Sequence, residues 1–127
     1  IEAHAGDALR IHVIGANSEQ NGMFGIEGHE WPIEPYMPGA DMISVVEYAG
    51  SETLDVFVRG GAGGPYRQVG DFVWSNQRLP YTQSGQWGYL RVLPAGDTRI
   101  QPLGAFGAAA KRADLAPQPK ATPTAMK

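Results

Sequence analysis

The apolar residues of this chain come in short alternating runs, and none of the runs is long enough for a substantial helix. In "ALRIHVIG", Leu9, Ile11 and Val13 fall on one face and Arg10 and His12 on the other. "ETLDVFVR" alternates in the same way through Leu54, Val56 and Val58. A period of two is the signature of a strand with one face buried. "MISVVEYAG", "DFVW" and "WGYLRVL" add β-branched and aromatic runs, and "MFGIEGHEWPIEP" reads as two short extended pieces around Gly28. Between the runs stand turn-forming segments, "NSEQNG" at 17–22 and "GGAGGPY" at 60–66. The chain holds 17 Gly and 10 Pro in 127 residues, so turns and extended segments outnumber helices. Six or seven short strands with Gly/Pro punctuation predict an all-β fold, a sandwich or a barrel.

The length suits one domain with a single core. A net charge of -3, with ten scattered Lys and Arg, provides no basic stripe and argues against a nucleic-acid partner. No apolar run approaches the ~20 residues of a membrane-spanning helix. The absence of cysteine excludes disulfides, thiolate metal centres and a Cys nucleophile. From about Ala95 the character changes: "GAFGAAAKRADLAPQPKATPTAMK" is poor in large apolar residues. The expected division is therefore a β-domain over 1–94 and an irregular Ala/Pro-rich tail or interdomain linker over 95–127, with a short helix across Ala108–Leu115. The first residue is Ile, which leaves open a removed leader or an upstream domain.

Three segments together resemble a cupredoxin domain of the multicopper oxidase family. "IEAHAGDALRIHVIG" resembles its opening strand pair, with an acidic residue and a Gly-Asp turn before an alternating strand. "NGMFGIEGHEWPIEP" resembles the segment that in an active domain reads H-P-x-H-x-H-G-H. "GDFVWSNQRLPYTQSGQWGYLRV" resembles the segment that reads H-C-H-x-x-x-H-x-x-x-G-M and ends in W-G-x-x-R-V. The resemblance spans residues 1 to 93 and implies a Greek-key β-sandwich of the cupredoxin type.

The same resemblance assigns copper-ligand positions, and these have changed. The four histidines of the first motif fall on Gly22, Gly25, Glu27 and His29, of which only His29 is an imidazole. The H-C-H triplet falls on Ser75, Asn76 and Gln77, the next histidine on Tyr81, and the axial methionine on Gln86. A type 1 copper centre needs a thiolate and two imidazoles, whereas hydroxyl, amide and phenol oxygens hold copper weakly. The expectation is a copper-free scaffold whose loop uses Asn76 and Gln77 to satisfy buried backbone groups.

His4, His12 and His29 are the only imidazoles, and their spacing gives no metal motif. "HEWPI" begins like a zinc-protease motif but has Ile33 in place of the second histidine, and Pro32 would break the required helix. Glu27, Glu30 and Glu34 read as a solvated acidic face. Trp74 and Trp87 are expected in the core, leaving Trp31 as the tryptophan for a surface role. "GGAGG" matches neither a dinucleotide nor a phosphate loop and reads as a flexible connection on the sandwich edge.

Three functional readings follow. The first is a non-catalytic domain or subunit of a multicopper-oxidase-like assembly, with a structural or oligomerisation role. It holds no cofactor of its own, copper sits in a neighbouring domain or subunit, and its partners are other cupredoxin domains or subunits. The second makes His29 a metal ligand, contributed with His4 or His12 to a copper site whose remaining imidazoles come from another domain or chain of a multicopper oxidase. The third is a freestanding extracellular interaction module, with Trp31 and the Gly60–Gly64 loop as its contact patch. The resemblance implies a periplasmic or extracellular location.

Overall fold

The computed structural model describes residues 1–16 and 20–100. The expected helix at 108–115 lies outside these residues. The described residues form nine short strands and one short helix: β1 (Glu2–His4), β2 (Arg10–Ile14), β3 (Gly22–Ile26), β4 (Trp31–Pro32), β5 (Met42–Ile43), β6 (Val45–Tyr48), β7 (Thr53–Phe57), β8 (Gly70–Asn76), α1 (Leu79–Gln83) and β9 (Trp87–Leu93). The fold is all-β, as the period-two runs predict.

Five strands form one mixed sheet in the order β1-β9-β8-β3-β6. Only β1 and β9 run parallel; the other three neighbours are antiparallel. Two further antiparallel pairs, β2 with β7 and β4 with β5, stand apart from this sheet. The run "MISVVEYAG" is not one strand. It is divided at Ser44, so that Ile43 pairs with Trp31 in one sheet while Val45 pairs with Gly25 in another.

A single apolar core joins these sheets. Ala3, Phe24, Ile26, Leu90 and Val92 reach it from the five-stranded sheet, Val56 from β7 and Trp31 from β4. Leu9, Ile11, Val13 and Leu54 pack against it from the β2–β7 pair, on the faces that the alternation assigns them. On β8 and β9 the inward residues are Phe72, Trp74, Leu90 and Val92. Gly88 sits under the Trp74 indole, and a Cβ there would come within 2.7 Å of the ring. β9 ends at Leu93, and beyond it the Asp97 carbonyl accepts a hydrogen bond from His4 Nε2 at 2.6 Å.

The glycine segment at 60–64 departs from the flexible edge connection expected of it. Gly61, Ala62, Gly63 and Gly64 are all buried. Gly6 N–H donates to the Ala62 carbonyl at 2.8 Å and Ala62 N–H to the Asp7 carbonyl at 2.9 Å, which ties the segment to the β1–β2 turn. Gln68 N–H donates back to the Gly63 carbonyl at 2.9 Å. Composition suggested flexibility, but here glycine serves positive φ and close backbone approach. Gly61 has φ +75°, and a Cβ on it would lie 2.2 Å from the Asp7 carbonyl oxygen. Gly61→Ala is therefore expected to cost roughly 2–4 kcal/mol in urea denaturation. Gly39 has a similar φ of +80° with nothing within 4 Å of the added carbon. Gly39→Ala should cost only the backbone strain, about 1 kcal/mol.

Candidate functional site

The end of β8 and the segment leading to β9 carry five of the nine ligand positions implied by the resemblance, and their geometry is organised around Asn76. The β3–β8 ladder ends at the pair Phe24 and Asn76, which leaves the Met23 N–H without a partner on β8. Asn76 Oδ1 accepts from that N–H at 3.1 Å and from the Arg78 N–H at 3.1 Å. Asn76 Nδ2 donates to Gln86 Oε1 at 2.9 Å, and its backbone N–H to the Gln86 carbonyl at 2.9 Å. The Thr82 hydroxyl donates to the Asn76 carbonyl. With 4% exposure, this side chain is a buried amide whose acceptor and donor are both in use.

Around it, a loop of ten residues is pulled into one turn. Pro80 stands in the first turn of α1, where its missing N–H costs nothing. Gln86 N–H donates to the Tyr81 carbonyl at 3.0 Å and closes the loop. Gln77 divides its work differently from Asn76. Its backbone N–H donates to the Met23 carbonyl at 2.7 Å, while its side chain donates to Ser75 Oγ at 3.0 Å rather than to a backbone group. The two glycines at histidine positions of the first motif are covered by neighbours. A Cβ on Gly22 would lie 2.2 Å from the Tyr48 ring, and one on Gly25 would lie 2.9 Å from Gln77 Nε2.

His29, the remaining imidazole of that motif, is 3% exposed. Gly63 N–H donates to its Nε2 at 3.0 Å, so the ring proton sits on Nδ1, which donates to the Glu27 carbonyl at 2.7 Å. The ring meets Phe72 edge-on with centroids 4.7 Å apart. Both nitrogens are thus committed within the protein, and the imidazole links the β3–β4 turn to the buried glycine segment.

The other two histidines lie elsewhere. His4, at the end of β1, bonds Asp97 through Nε2 and stands 3.5 Å from Asp7 through Nδ1. His12, on the solvent face of β2, contacts Asp55, its partner across the β2–β7 ladder. Among the described residues, no group of three or more His, Asp or Glu side chains is placed to hold a metal ion.

Asp55 is the centre of a polar cluster that sequence reasoning did not single out. Arg10 Nη2 donates to Asp55 Oδ2 at 2.6 Å, and Tyr36 OH reaches the same oxygen at 3.4 Å. The Arg10 guanidinium lies 4.8 Å from the Phe57 ring centroid. Its signal was present, since Arg10, His12 and Asp55 all lie on polar faces of alternating runs, but the register that brings them opposite each other is not readable from one strand.

These contacts set an acid limit. The Arg10 hydrogen bond holds the Asp55 carboxyl below its ordinary value, and Arg91 does the same for Asp71. Hydrogen bonds from the Arg99 side chain and backbone bring Asp97 down to about 2. A carboxyl whose folded value is depressed stabilises the fold above its unfolded value and loses that contribution as pH falls through the folded one. The Asp97 contribution should be fully present at pH 7, begin to fall near pH 4 and be lost as pH falls through about 2, with Asp55 and Asp71 changing in the same direction. Urea midpoints across that range measure it, and Arg10→Gln should make the fall shallower.

The tryptophans reverse their expected places. Trp31 is 2% exposed, tilted against Phe24 at 6.1 Å, because the β4–β5 pair turns it toward the core. Gly61 to Gly64 are buried as well, so the contact patch expected at Trp31 and the Gly60–Gly64 loop is not a surface. Trp74 is half-buried against the core as expected, whereas Trp87 is 47% exposed. The alternation of β9 held the clue: if Leu90 and Val92 point inward, Trp87, Tyr89 and Arg91 point outward.

The residues present do not fit a type 1 copper centre. Ser75, Asn76, Gln77, Tyr81 and Gln86 supply no thiolate and no imidazole, and Asn76 uses both polar side-chain atoms inside the protein. No family model matches the chain, and no curated protein matches it significantly.

Proposed function

We propose that this chain is a copper-free, non-catalytic cupredoxin-like domain, a Greek-key β-sandwich whose role in a multicopper-oxidase-like assembly is architectural. The observation that carries the reading is Asn76. Where the resemblance calls for a copper thiolate, there is a buried amide that holds two backbone N–H groups and Gln86. The interior that a metal would organise is organised here by hydrogen bonds. Gly22 and Gly25 under Tyr48 and Gln77, and a His29 ring with both nitrogens engaged, support the same reading. So do three sheets sharing one core, with the first and last strands paired in parallel. The proposed partners are other cupredoxin domains or subunits, in a periplasmic or extracellular setting.

Metal analysis tests it. The purified chain, loaded with Cu(II) and dialysed against a chelator, should be colourless and retain far less than one copper per chain. The spectrum and copper content of His29→Ala should match the wild type. A blue protein, or stoichiometric copper after dialysis, would overturn the proposal.

A further inference from the structure

We propose that the outer face of the five-stranded sheet is a docking surface for a protein partner whose contact patch is apolar at its centre and bordered by Lys and Arg. This names the face and the partner chemistry for the architectural role proposed above, and rests on that reading. The inner residues of β8 and β9 enter the core, so the alternate residues form the outer face in rows set by the register. Val73 stands opposite Tyr89, and Ser75 opposite Trp87. The rings of Trp87 and Tyr89 meet edge-on at 5.7 Å and remain 47% and 49% exposed. Beside Trp87 the next residues in its row are Ser75 and then Gly25, and the Gln77 side chain lies over both. Two exposed aromatics packed side by side, next to an uncharged amide, form the kind of anchor that dominates protein interfaces.

The occupant is indicated by charge. Glu27 continues the row of Val73, since its N–H donates to the Val73 carbonyl at 2.9 Å. Glu47 stands opposite Met23 on the β6 side. At the end of the sheet, Asp71 holds Arg91 by two bonds of 2.7 and 2.9 Å, with Glu2 4.0 Å from the same guanidinium. The rows thus carry four carboxylates against one guanidinium around an uncharged centre. A second copy would set carboxylates against carboxylates, whereas a basic rim would complement them. The 26 residues of the five strands, at about 16 Å² each, give a footprint of about 400 Å² per partner, the scale of a small transient contact.

The test places a photo-crosslinking benzoylphenylalanine at position 89 of the full chain in its native host. A control carries it at position 66, where Tyr66 is 92% exposed outside this face. The expected result is one adduct, specific to position 89, whose partner peptide combines apolar residues with Lys or Arg. Adduct yield should fall at least tenfold in Trp87→Ala, and separately in Glu27→Lys/Glu47→Lys, with circular dichroism unchanged. An adduct to a second copy or to residues 101–127, equal labelling from position 66, no adduct, or yields indifferent to both variants would each overturn the inference. Copper content of the same preparation reports on the copper-free reading independently.

Discussion

Replacing His29 with alanine should lower the free energy of unfolding by about 3–4 kcal/mol. The substitution removes the acceptor of the buried Gly63 N–H and the donor to the Glu27 carbonyl, and it empties the space beside the Phe72 ring. An unpaired buried N–H alone costs about 1–3 kcal/mol, and loss of the ring packing adds to it. The damage should be local first. Hydrogen exchange should show the Gly63 amide losing protection before the amides of β8 and β9. His12→Ala is the control: that ring is largely exposed, and its loss should change stability little. A His29→Ala protein as stable as the wild type would show that the imidazole does not hold the glycine segment.

Asn76→Ala is the second large expected effect, about 2–4 kcal/mol. It strands the Met23 and Arg78 N–H groups together and frees Gln86 Oε1, all from a side chain that is 4% exposed. Gln86→Ala removes only the last of these contacts at an exposed position, and should cost less than about 1 kcal/mol. Chemical denaturation of the two variants beside the wild type checks the ranking. Equal losses would mean that the loop is held by its backbone bonds and not by the Asn76 amide.

How much of this was legible in the residues varies with the range of the interaction. The strand periods of β2 and β7 were readable because alternation is a property of one segment, and their buried faces came out as read. The expectation that Asn76 would satisfy buried backbone groups was also readable, because a short amide at the end of an apolar run has few other uses. Its companion Gln77 went to Ser75, because the residue opposite Ser75 across the sheet is Gly25, over which the Gln77 side chain lies. The buried state of Gly61–Gly64 was not readable. A glycine run serves a loose linker and a tightly folded segment equally well, and only the approach of the Asp7 carbonyl and the His29 ring distinguishes them.

Trp31 and Trp87 exchanged places for a related reason. Trp31 lies in a two-residue strand too short to show a period, so its side depends on its pairing with Ile43. Trp87 lies in a seven-residue strand whose alternation points it outward, but its size argued for burial. Periodicity was the better guide of the two.

The residues alone established an all-β chain, the turns between its strands, and the loss of imidazole and sulfur donors at all but one of the positions where the resemblance places copper. Those conclusions follow from composition and from a two-residue period, which need no knowledge of what lies across the sheet. Which polar group meets which, that a glycine segment closes over an imidazole, and that two aromatic rings face solvent came only with the assembled fold. The cause is physical: hydrogen bonds and burial are relations between residues far apart in the chain, and strand register, which creates those relations, is fixed cooperatively by the whole core.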